Sequence, residues 1–172
     1  CAGTEGDTPV TCLVPEGVAS EAVQACLGSE AQARAAFSRG ALSVRVLPCV
    51  EQDDYDKLLW ACDFNIVRGE DSFVRAQWAD RPFVWHIYPQ DENLHHVKLR
   101  AFLKRSAAAT EALRELSLRW NRAPGANLTN NAAWPALGAT VQAEVPAQAR
   151  GAITWRPQML GQGKRSGNFA GL

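Results

Sequence analysis

The sequence predicts an α/β domain built on a parallel sheet with flanking helices, and three observations lead to that prediction. The chain has 172 residues, enough for one sizeable hydrophobic core. Up to about residue 120, short runs of branched apolar residues alternate with segments whose apolar residues recur at helical spacing. Strands separated by helices of this length pair in parallel through right-handed crossovers. We assign residues 1–120 to this domain and residues 121–172 to a helical or irregular tail that packs on it.

The individual elements follow from local pattern and capping signals. Strands are predicted at Val10–Val14, Leu42–Leu47, Phe64–Val67 and Phe83–Ile87. Helices are predicted at Val18–Leu27, after a cap at Asp53 or Asp54, from Asp71 or Ser72 through Trp78, and at Leu94–Leu103 and Ala107–Arg119. In the tail, weak periodicity around Trp134 and Trp155 predicts one or two short helices.

Charge and cysteine usage exclude several classes of protein. Lys and Arg number 18, Asp and Glu also number 18, and the formal net charge is zero. We therefore expect neither a nucleic acid nor a membrane surface as partner, since both need a basic excess. No apolar run reaches the length of a bilayer span, and residues from Cys1 onward do not have the basic-then-apolar pattern expected of a signal peptide. The five cysteines have no C-x-x-C spacing, which predicts reduced thiols in the cytoplasm.

The loop Arg68–Ser72 carries the densest chemical signal. Ligands of parallel α/β sheets bind beyond the carboxyl ends of the strands, and here a strand runs into Arg68 and Gly69 before a helix begins. Gly69 permits a tight turn, the helix N-terminus attracts anions, and Arg68 offers donors suited to phosphate. This combination predicts a diphosphate site that needs no metal. The alternative is that Asp71 or Ser72 merely caps the helix while Glu70 is solvated.

Other side chains extend this candidate site. A carboxylate that faces a diphosphate repels it, so we expect Glu70 to contact a sugar or ribose hydroxyl, or to orient Arg68. Elsewhere, Gln52 is placed to pair with a base edge and Tyr55 to stack on a ring, while Tyr88 and Gln90 lie at the rim of the same cleft. His95 and His96 are adjacent, so on a helix they should face different directions and form a poor metal pair.

Several stretches resemble one bacterial family. They are Tyr55–Trp60, Arg68–Trp78 and Arg81–Gln90, and Val14–Gly17 and Val46–Pro48 fit the same pattern. These stretches are similar to the protein-arginine rhamnosyltransferases that modify elongation factor P. The resemblance covers most of residues 10–103 and is most specific at its centre.

The resemblance implies the C-terminal, donor-binding half of an inverting GT-B glycosyltransferase with two Rossmann-like domains. That family transfers L-rhamnose from dTDP-β-L-rhamnose to an arginine of elongation factor P, without a cofactor. On its pattern Arg68, Asp71 and Ser72 contact the diphosphate, Gln52 contacts the thymine, and Glu70 is needed for activity. Cys49 departs from the pattern, because it stands where the family commonly has a phenylalanine that stacks on the base.

The resemblance also implies what this chain lacks. The catalytic base of the family is an aspartate of the N-terminal domain, and the chain starts at Cys1, after what corresponds to the first strand of the C-terminal domain. We therefore expect that the start is a cut and that this chain binds donor but transfers nothing alone. Two alternatives stay open: the donor domain of another GT-B enzyme with a different nucleotide sugar, and a non-catalytic fragment.

Overall fold

The computed structural model describes residues 9–18, 20–28, 33–126 and 136–145. The chain divides into two compact units, Cys1–Tyr55 and Asp56–Leu172. Each unit has its own hydrogen-bonded sheet, one of three strands and one of two. The architecture is α/β as predicted, but its pairing is mixed rather than wholly parallel.

Before the helix that begins at Gln52, the described residues of the first unit form three strands and a helix. In chain order they are β1 (Val10–Pro15), α1 (Ser20–Leu27), β2 (Ala36–Arg39) and β3 (Leu42–Leu47). β1 pairs with β3 in parallel, as predicted for strands joined through a helix. β3 also contributes two buried side chains, Val44 and Val46.

Strand β2 was missed in the sequence. It pairs with β3 antiparallel, so that the sheet order is β1-β3-β2. The two strands form a hairpin whose turn begins at Gly40, at a φ of 57°. Two-residue hairpin turns of this kind place glycine first because that position requires a positive φ. The parallel-sheet prediction is therefore wrong for this edge of the sheet.

The second unit holds the remaining strands and helices. Helix α2 (Gln52–Ala61) begins within the last residues of the first unit and continues into the second. After it come β4 (Asn65–Arg68), α3 (Glu70–Trp78), β5 (Phe83–His86), a 3₁₀ turn (Asp91–Asn93), α4 (Leu94–Arg105), α5 (Glu111–Trp120) and a sixth helix, α6, over residues 136–145. β4 and β5 pair in parallel, which confirms the prediction for this pair.

An aromatic cluster joins α3 and α4 to the β4–β5 pair. The ring of Phe73 stacks on Trp85 with centroids 3.9 Å apart, and meets Phe102 edge-on at 4.9 Å. Phe102 also packs on Phe83 at 5.5 Å. Beside these rings, Leu99 and Leu103 are fully or almost fully buried. This packing fixes helix α3 against β5, the strand that follows it.

Helix starts differ from the sequence predictions where capping decides them. Helix α2 begins at Gln52, so Asp53 and Asp54 lie in its first turn instead of capping it. There their negative charges still interact favourably with the positive end of the helix dipole. Helix α1 begins at Ser20 rather than Val18, because Val18 N–H closes a turn onto the Pro15 carbonyl at 3.0 Å.

Helix α5 starts four residues later than predicted. Its N-cap is Thr110, whose hydroxyl accepts a hydrogen bond from Leu113 N–H at 3.3 Å. The threonine hydroxyl supplies the acceptor that an N–H group of the first helical turn lacks within the helix. Extending the helix into the preceding alanines would give up this capping hydrogen bond. The Thr110 hydroxyl also donates to Glu144 Oε2 of α6 at 2.6 Å.

At its other end, α5 completes the end of strand β5 through one side chain. Asn121 Nδ2 donates to the carbonyls of Trp85 and Ser117, both at 2.8 Å, and Asn121 Oδ1 accepts from Ile87 N–H at 3.0 Å. The amide thus pairs with strand groups as a neighbouring strand would. The segment leaving β5 is held in a definite direction as a result.

The assignment of residues 121–172 to a tail that packs on the domain stays a prediction. The helix α6 lies within the predicted tail, and its Val141 is buried. Trp134 and Trp155 lie outside the described residues. Within the described part of the chain, none of the helices has the length and apolar character that crossing a bilayer requires.

Candidate functional site

The site centres on the contact between Arg68 and Tyr88. Arg68 is the last residue of β4, and its register partner on β5 is His86. The two strands therefore end side by side, and the residues that follow them meet. The Arg68 guanidinium carbon lies 4.6 Å from the centroid of the Tyr88 ring, a cation–π distance. The contact holds a cation at the carboxyl ends of the strands, where the sequence predicts the ligand.

Gly69 forms the turn between β4 and α3. Its φ of 82° and ψ of 173° lie in a backbone region that is essentially restricted to glycine. A Cβ at this position would also lie 3.2 Å from Tyr88 Cε2. The Gly69 carbonyl accepts a hydrogen bond from Trp85 Nε1 at 3.1 Å. The turn is therefore fixed by the aromatic core on one side and by Tyr88 on the other.

The N-terminus of α3 carries no capping side chain. The N-cap is Gly69, and Asp71 and Ser72 lie inside the first turn. The alternative interpretation, that one of these two residues caps the helix, is therefore wrong. The first N–H groups of a helix have no partner within it and carry the positive end of its dipole. With Arg68 beside them, they form an arrangement suited to an oxyanion.

Glu70 meets a cation that the sequence analysis missed. Its Oε1 lies 3.7 Å from Lys98 Nζ of α4. Both side chains are well exposed, at 74% for Glu70 and 49% for Lys98, so the pair contributes little to stability. It does give Glu70 a movable counter-charge at the edge of the candidate anion site. The predicted contact of Glu70 with a hydroxyl stays a prediction.

Asp71 is engaged by Arg75, one helical turn further along α3. Arg75 Nε donates to Asp71 Oδ2 at 2.9 Å, and Arg75 Nη1 lies 2.9 Å from both carboxylate oxygens of Asp56 on α2. The hydrogen bonds that Arg75 donates to Asp56, and then to Asp71, raise the pKa of Arg75. Arg75 offsets part of the negative charge at Asp71, which reduces its repulsion of a diphosphate. The contact of Asp71 and half-buried Ser72 with the diphosphate stays a prediction.

His86 is half-buried beside Arg68 and packs edge-on against Trp120, with centroids 6.4 Å apart. Burial lowers the pKa of His86, and the charge of Arg68 lowers it further. His86 is therefore a neutral ring at neutral pH, and the positive charge of this edge rests on Arg68.

Beyond Tyr88, the chain turns at Gln90 and is tied back to helix α4. Gln90 N–H donates to His95 Nδ1 at 3.1 Å. The His95 and His96 rings lie 3.9 Å apart and both are buried, so the expectation that they face different directions is wrong. Adjacent helical residues diverge by roughly 100° at the backbone, but side-chain torsions bring these two rings together.

The remaining predicted residues belong to the first unit. Gln52 is exposed and Tyr55 is half-buried, both in the first turn of α2. Cys49 is an exposed free thiol just before that helix. That these residues share one cleft with Arg68 stays a prediction. No group of three His, Cys, Asp or Glu residues with metal-binding geometry occurs in the described ranges.

Three contributing residues were missed in the sequence: Arg75, Lys98 and His95. The i,i+4 spacing of Asp71 and Arg75 was a usable signal, since oppositely charged residues at that spacing meet on a helix surface. No local signal existed for Lys98 or His95. Their partners lie on other elements, and only the packing of α4 against the β5 end brings them close.

The chain is similar to proteins of one family. The profile of the family described as elongation factor P (EF-P) rhamnosyltransferase EarP matches residues 2–169. A protein-arginine rhamnosyltransferase of Pseudomonas putida is 52% identical over 121 residues, which are 67% of this chain and 32% of the relative. One from Pseudomonas aeruginosa is 58% identical over 92 residues, or 51% of this chain and 24% of the relative. The chain thus covers about a third or less of these relatives.

A solved structure is also similar, from work on EarP-mediated arginine glycosylation of translation elongation factor EF-P. It superposes with a TM-score of 0.71 at 36% sequence identity. The match covers 92% of this chain and 50% of that chain. Fold and sequence therefore point to the same relatives.

Proposed function

Because the chain belongs to the EarP family of elongation factor P rhamnosyltransferases, we propose that it forms the donor-binding part of a protein-arginine rhamnosyltransferase. Its Rossmann-like α/β elements then constitute the C-terminal half of a GT-B enzyme. The parallel pairing of β1 with β3 and of β4 with β5 supports this fold. So does the match to half of the solved relative.

The proposed donor is dTDP-β-L-rhamnose, bound through its diphosphate at Arg68, Gly69 and the first turn of α3. The observation that carries this proposal is the Arg68–Tyr88 contact at 4.6 Å beside an uncapped helix N-terminus. A guanidinium held in place by an aromatic ring loses less freedom when it binds phosphate. Gln52 and Tyr55 are the proposed contacts of the thymidine moiety, and Gln90 is a further rim contact.

In the proposed reaction, Arg68 and the helix terminus stabilise the leaving diphosphate. A guanidinium nitrogen of the acceptor arginine attacks the anomeric carbon, the bond from that carbon to the diphosphate oxygen breaks, and configuration inverts. The acceptor nitrogen loses its proton to a carboxylate outside the site described above. Charge builds on the leaving oxygens as the bond breaks, so donors placed there lower the barrier without a metal.

Glu70 is the proposed catalytic residue of this half, and we propose that it accepts a hydrogen bond from a hydroxyl of the donor sugar. It lies on the first turn of α3, as does the proposed diphosphate site, and its exposure leaves it accessible to a ligand. The Lys98 ion pair supports a role as an acceptor for a hydroxyl, since a weak surface pair exchanges readily for a ligand contact.

The test is titration of this chain with dTDP, using UDP and GDP as competitors. We expect dTDP to bind and to shift the amide resonances of Gly69–Ser72. Arg68→Ala should weaken binding by about 1.5–3 kcal/mol, the range for a charge-assisted hydrogen bond.

Arg39→Ala is the matched control, because Arg39 is also the exposed last residue of a strand. It should leave dTDP affinity unchanged. Preferential binding of UDP or GDP would assign the chain to a different nucleotide sugar, and unchanged affinity of Arg68→Ala would contradict the proposed anion site.

A further inference from the structure

The segment 88–93, which joins β5 to α4, has a conformation that its own sequence does not favour. Glu92 and Asn93 both adopt left-handed backbone angles, with φ of 54° and 57°. Asparagine tolerates this region, but for glutamate it is uncommon. Asn93 is also the N-cap of α4 and makes no side-chain capping hydrogen bond. The shape of the segment therefore depends on contacts from outside it.

His95 supplies such a contact. It is the second residue of α4, is 8% exposed, and accepts the Gln90 N–H at Nδ1. Helical side chains lean toward the N-terminus of their helix, which brings the ring back over the preceding segment. An imidazole nitrogen accepts only when it carries no proton, so this geometry requires His95 to be neutral with its proton on Nε2. The hydrogen bond closes a short loop around both left-handed residues.

The same segment begins with Tyr88. Its ring stacks on Arg68 and occupies the space that a side chain at Gly69 would need. At that end, Asn121 fixes Ile87. At the other end, His95 fixes Gln90. Tyr88 lies between these two attachments, so its ring position depends on both.

We propose that His95 is a positioning residue that holds segment 88–93 so that Tyr88 keeps Arg68 in place to bind a nucleoside diphosphate. The proposal rests on the proposed donor-binding function. His95 does not touch the donor, and it acts through the Gln90 backbone and Tyr88.

The first experiment uses the unaltered chain and needs no ligand. Long-range nitrogen–proton NMR spectra of the histidine ring should show the Nε2-protonated tautomer for His95 at neutral pH. A coupling across the hydrogen bond should link Nδ1 to the Gln90 amide proton. Finding the proton on Nδ1 would overturn the proposal, whatever the behaviour of any variant.

The second experiment compares three variants by exchange of the Gln90 amide with deuterium. His95→Leu removes the acceptor and keeps similar bulk, and should speed exchange by about tenfold, as for the loss of one neutral hydrogen bond. His95→Asn places an acceptor oxygen at the position of Nδ1 and should restore slow exchange. Val97→Ala is the control, since Val97 is a neighbouring residue on the same helix and is 63% exposed. It should leave the Gln90 amide unaffected.

The third experiment measures dTDP affinity in the same variants. We expect the dissociation constant to rise roughly fivefold in His95→Leu and to return to within about twofold of the original in His95→Asn. Equal affinities in all variants, or a His95→Asn variant as weak as His95→Leu, would overturn the positioning role. If the unaltered chain does not bind dTDP at all, the proposed function fails, while the tautomer and exchange results still decide whether His95 holds the segment.

Discussion

Gly69 connects backbone geometry to ligand binding at the level of a single residue. Its backbone lies in a glycine-only region, and the space that a side chain would occupy is already taken by the Tyr88 ring. The same residue leaves the N-terminus of α3 uncapped. Arg68 and Tyr88 thus meet because the residue between β4 and α3 has no side chain.

Gly69→Ala should destabilise the fold by about 1–3 kcal/mol, the cost of this backbone region for a residue with a Cβ. It should also weaken dTDP binding, because the new methyl group displaces Tyr88 from Arg68. Urea unfolding and calorimetric titration measure the two effects. Gly125→Ala is the control: Gly125 has a φ of 83°, but a Cβ there meets nothing within 4 Å. That variant should lose stability without losing dTDP affinity, and an equal loss of affinity in both would contradict the role assigned to Tyr88.

His96 makes the stability of the chain depend on pH. Burial lowers its pKa, and the charge of Arg100 lowers it further. Because its pKa is lower in the folded chain, the unfolded chain binds the proton more readily. The stabilisation that comes from neutral His96 is therefore fully present above about pH 6.5, the ordinary pKa of histidine. It is lost as the pH falls from that value to the lower pKa of His96 in the folded chain.

We expect the urea concentration at the unfolding midpoint to decrease as the pH is lowered from 7.5 to 5. His96→Leu should flatten this dependence, and the remaining slope should include His86, whose pKa is lowered by burial and by Arg68. A midpoint that rises as the pH falls would contradict the direction argued here.

At the level of elements, the ends of strands and helices determine the site more than their interiors do. Strand β5 directs the chain toward Tyr88. Its end is held by Asn121, the C-cap of α5, which donates one hydrogen bond to the Trp85 carbonyl and accepts one from Ile87 N–H. Replacing this amide leaves a strand carbonyl and an N–H group without a partner.

Asn121→Ala should therefore lower the free energy of unfolding by about 2 kcal/mol or more, since each unsatisfied buried group costs about 1–3 kcal/mol. Thr110→Ala removes the cap at the opposite end of the same helix together with the hydrogen bond to Glu144, and should cost about 1–2 kcal/mol. Chemical denaturation of the two variants compares them directly. A loss below about 0.5 kcal/mol for Asn121→Ala would mean that water replaces the amide.

The sequence was informative where structure is local. The strands β1, β3, β4 and β5 were each located to within about one residue, because a continuous branched apolar run is a local signal. Strand β2 was missed, since Ala36–Arg39 has neither length nor alternation, and Gly40 was the only mark of its hairpin. The turn at Arg68 and Gly69 was identified from residue types alone.

Contacts between elements were not predictable in the same way. Glu70 was assigned to the site, but Lys98 lies 28 positions away and meets it only because α4 packs beside α3. The capping role considered for Asp71 and Ser72 failed because Gly69, with no side chain, takes the N-cap position. Side-chain pairing of this kind depends on tertiary packing, which overrides local preference.

For the whole molecule, the central question is which part of the proposed transfer reaction this chain would supply. Glu70 and Asp71 are the acids in the first turn of α3, beside the proposed anion site, and the donor is expected to occupy their surroundings. The guanidinium of arginine has a pKa above about 12, so it becomes a nucleophile only where a further carboxylate engages it. We therefore expect no transfer by the 172-residue chain alone.

A chimera tests this expectation and the role of Glu70 together. In it, the chain replaces the half of the solved relative that it matches, and rhamnosylation of elongation factor P from dTDP-β-L-rhamnose is followed by mass spectrometry. The chimera should be active, and Glu70→Ala within it should reduce turnover by about a hundredfold, or roughly 2.7 kcal/mol in barrier height. Glu111→Ala is the matched control, since Glu111 is likewise the exposed first residue of a helix, and should retain full turnover. Transfer by the isolated chain would contradict the division of roles, and near-normal turnover of the Glu70→Ala chimera would remove Glu70 from the catalytic machinery.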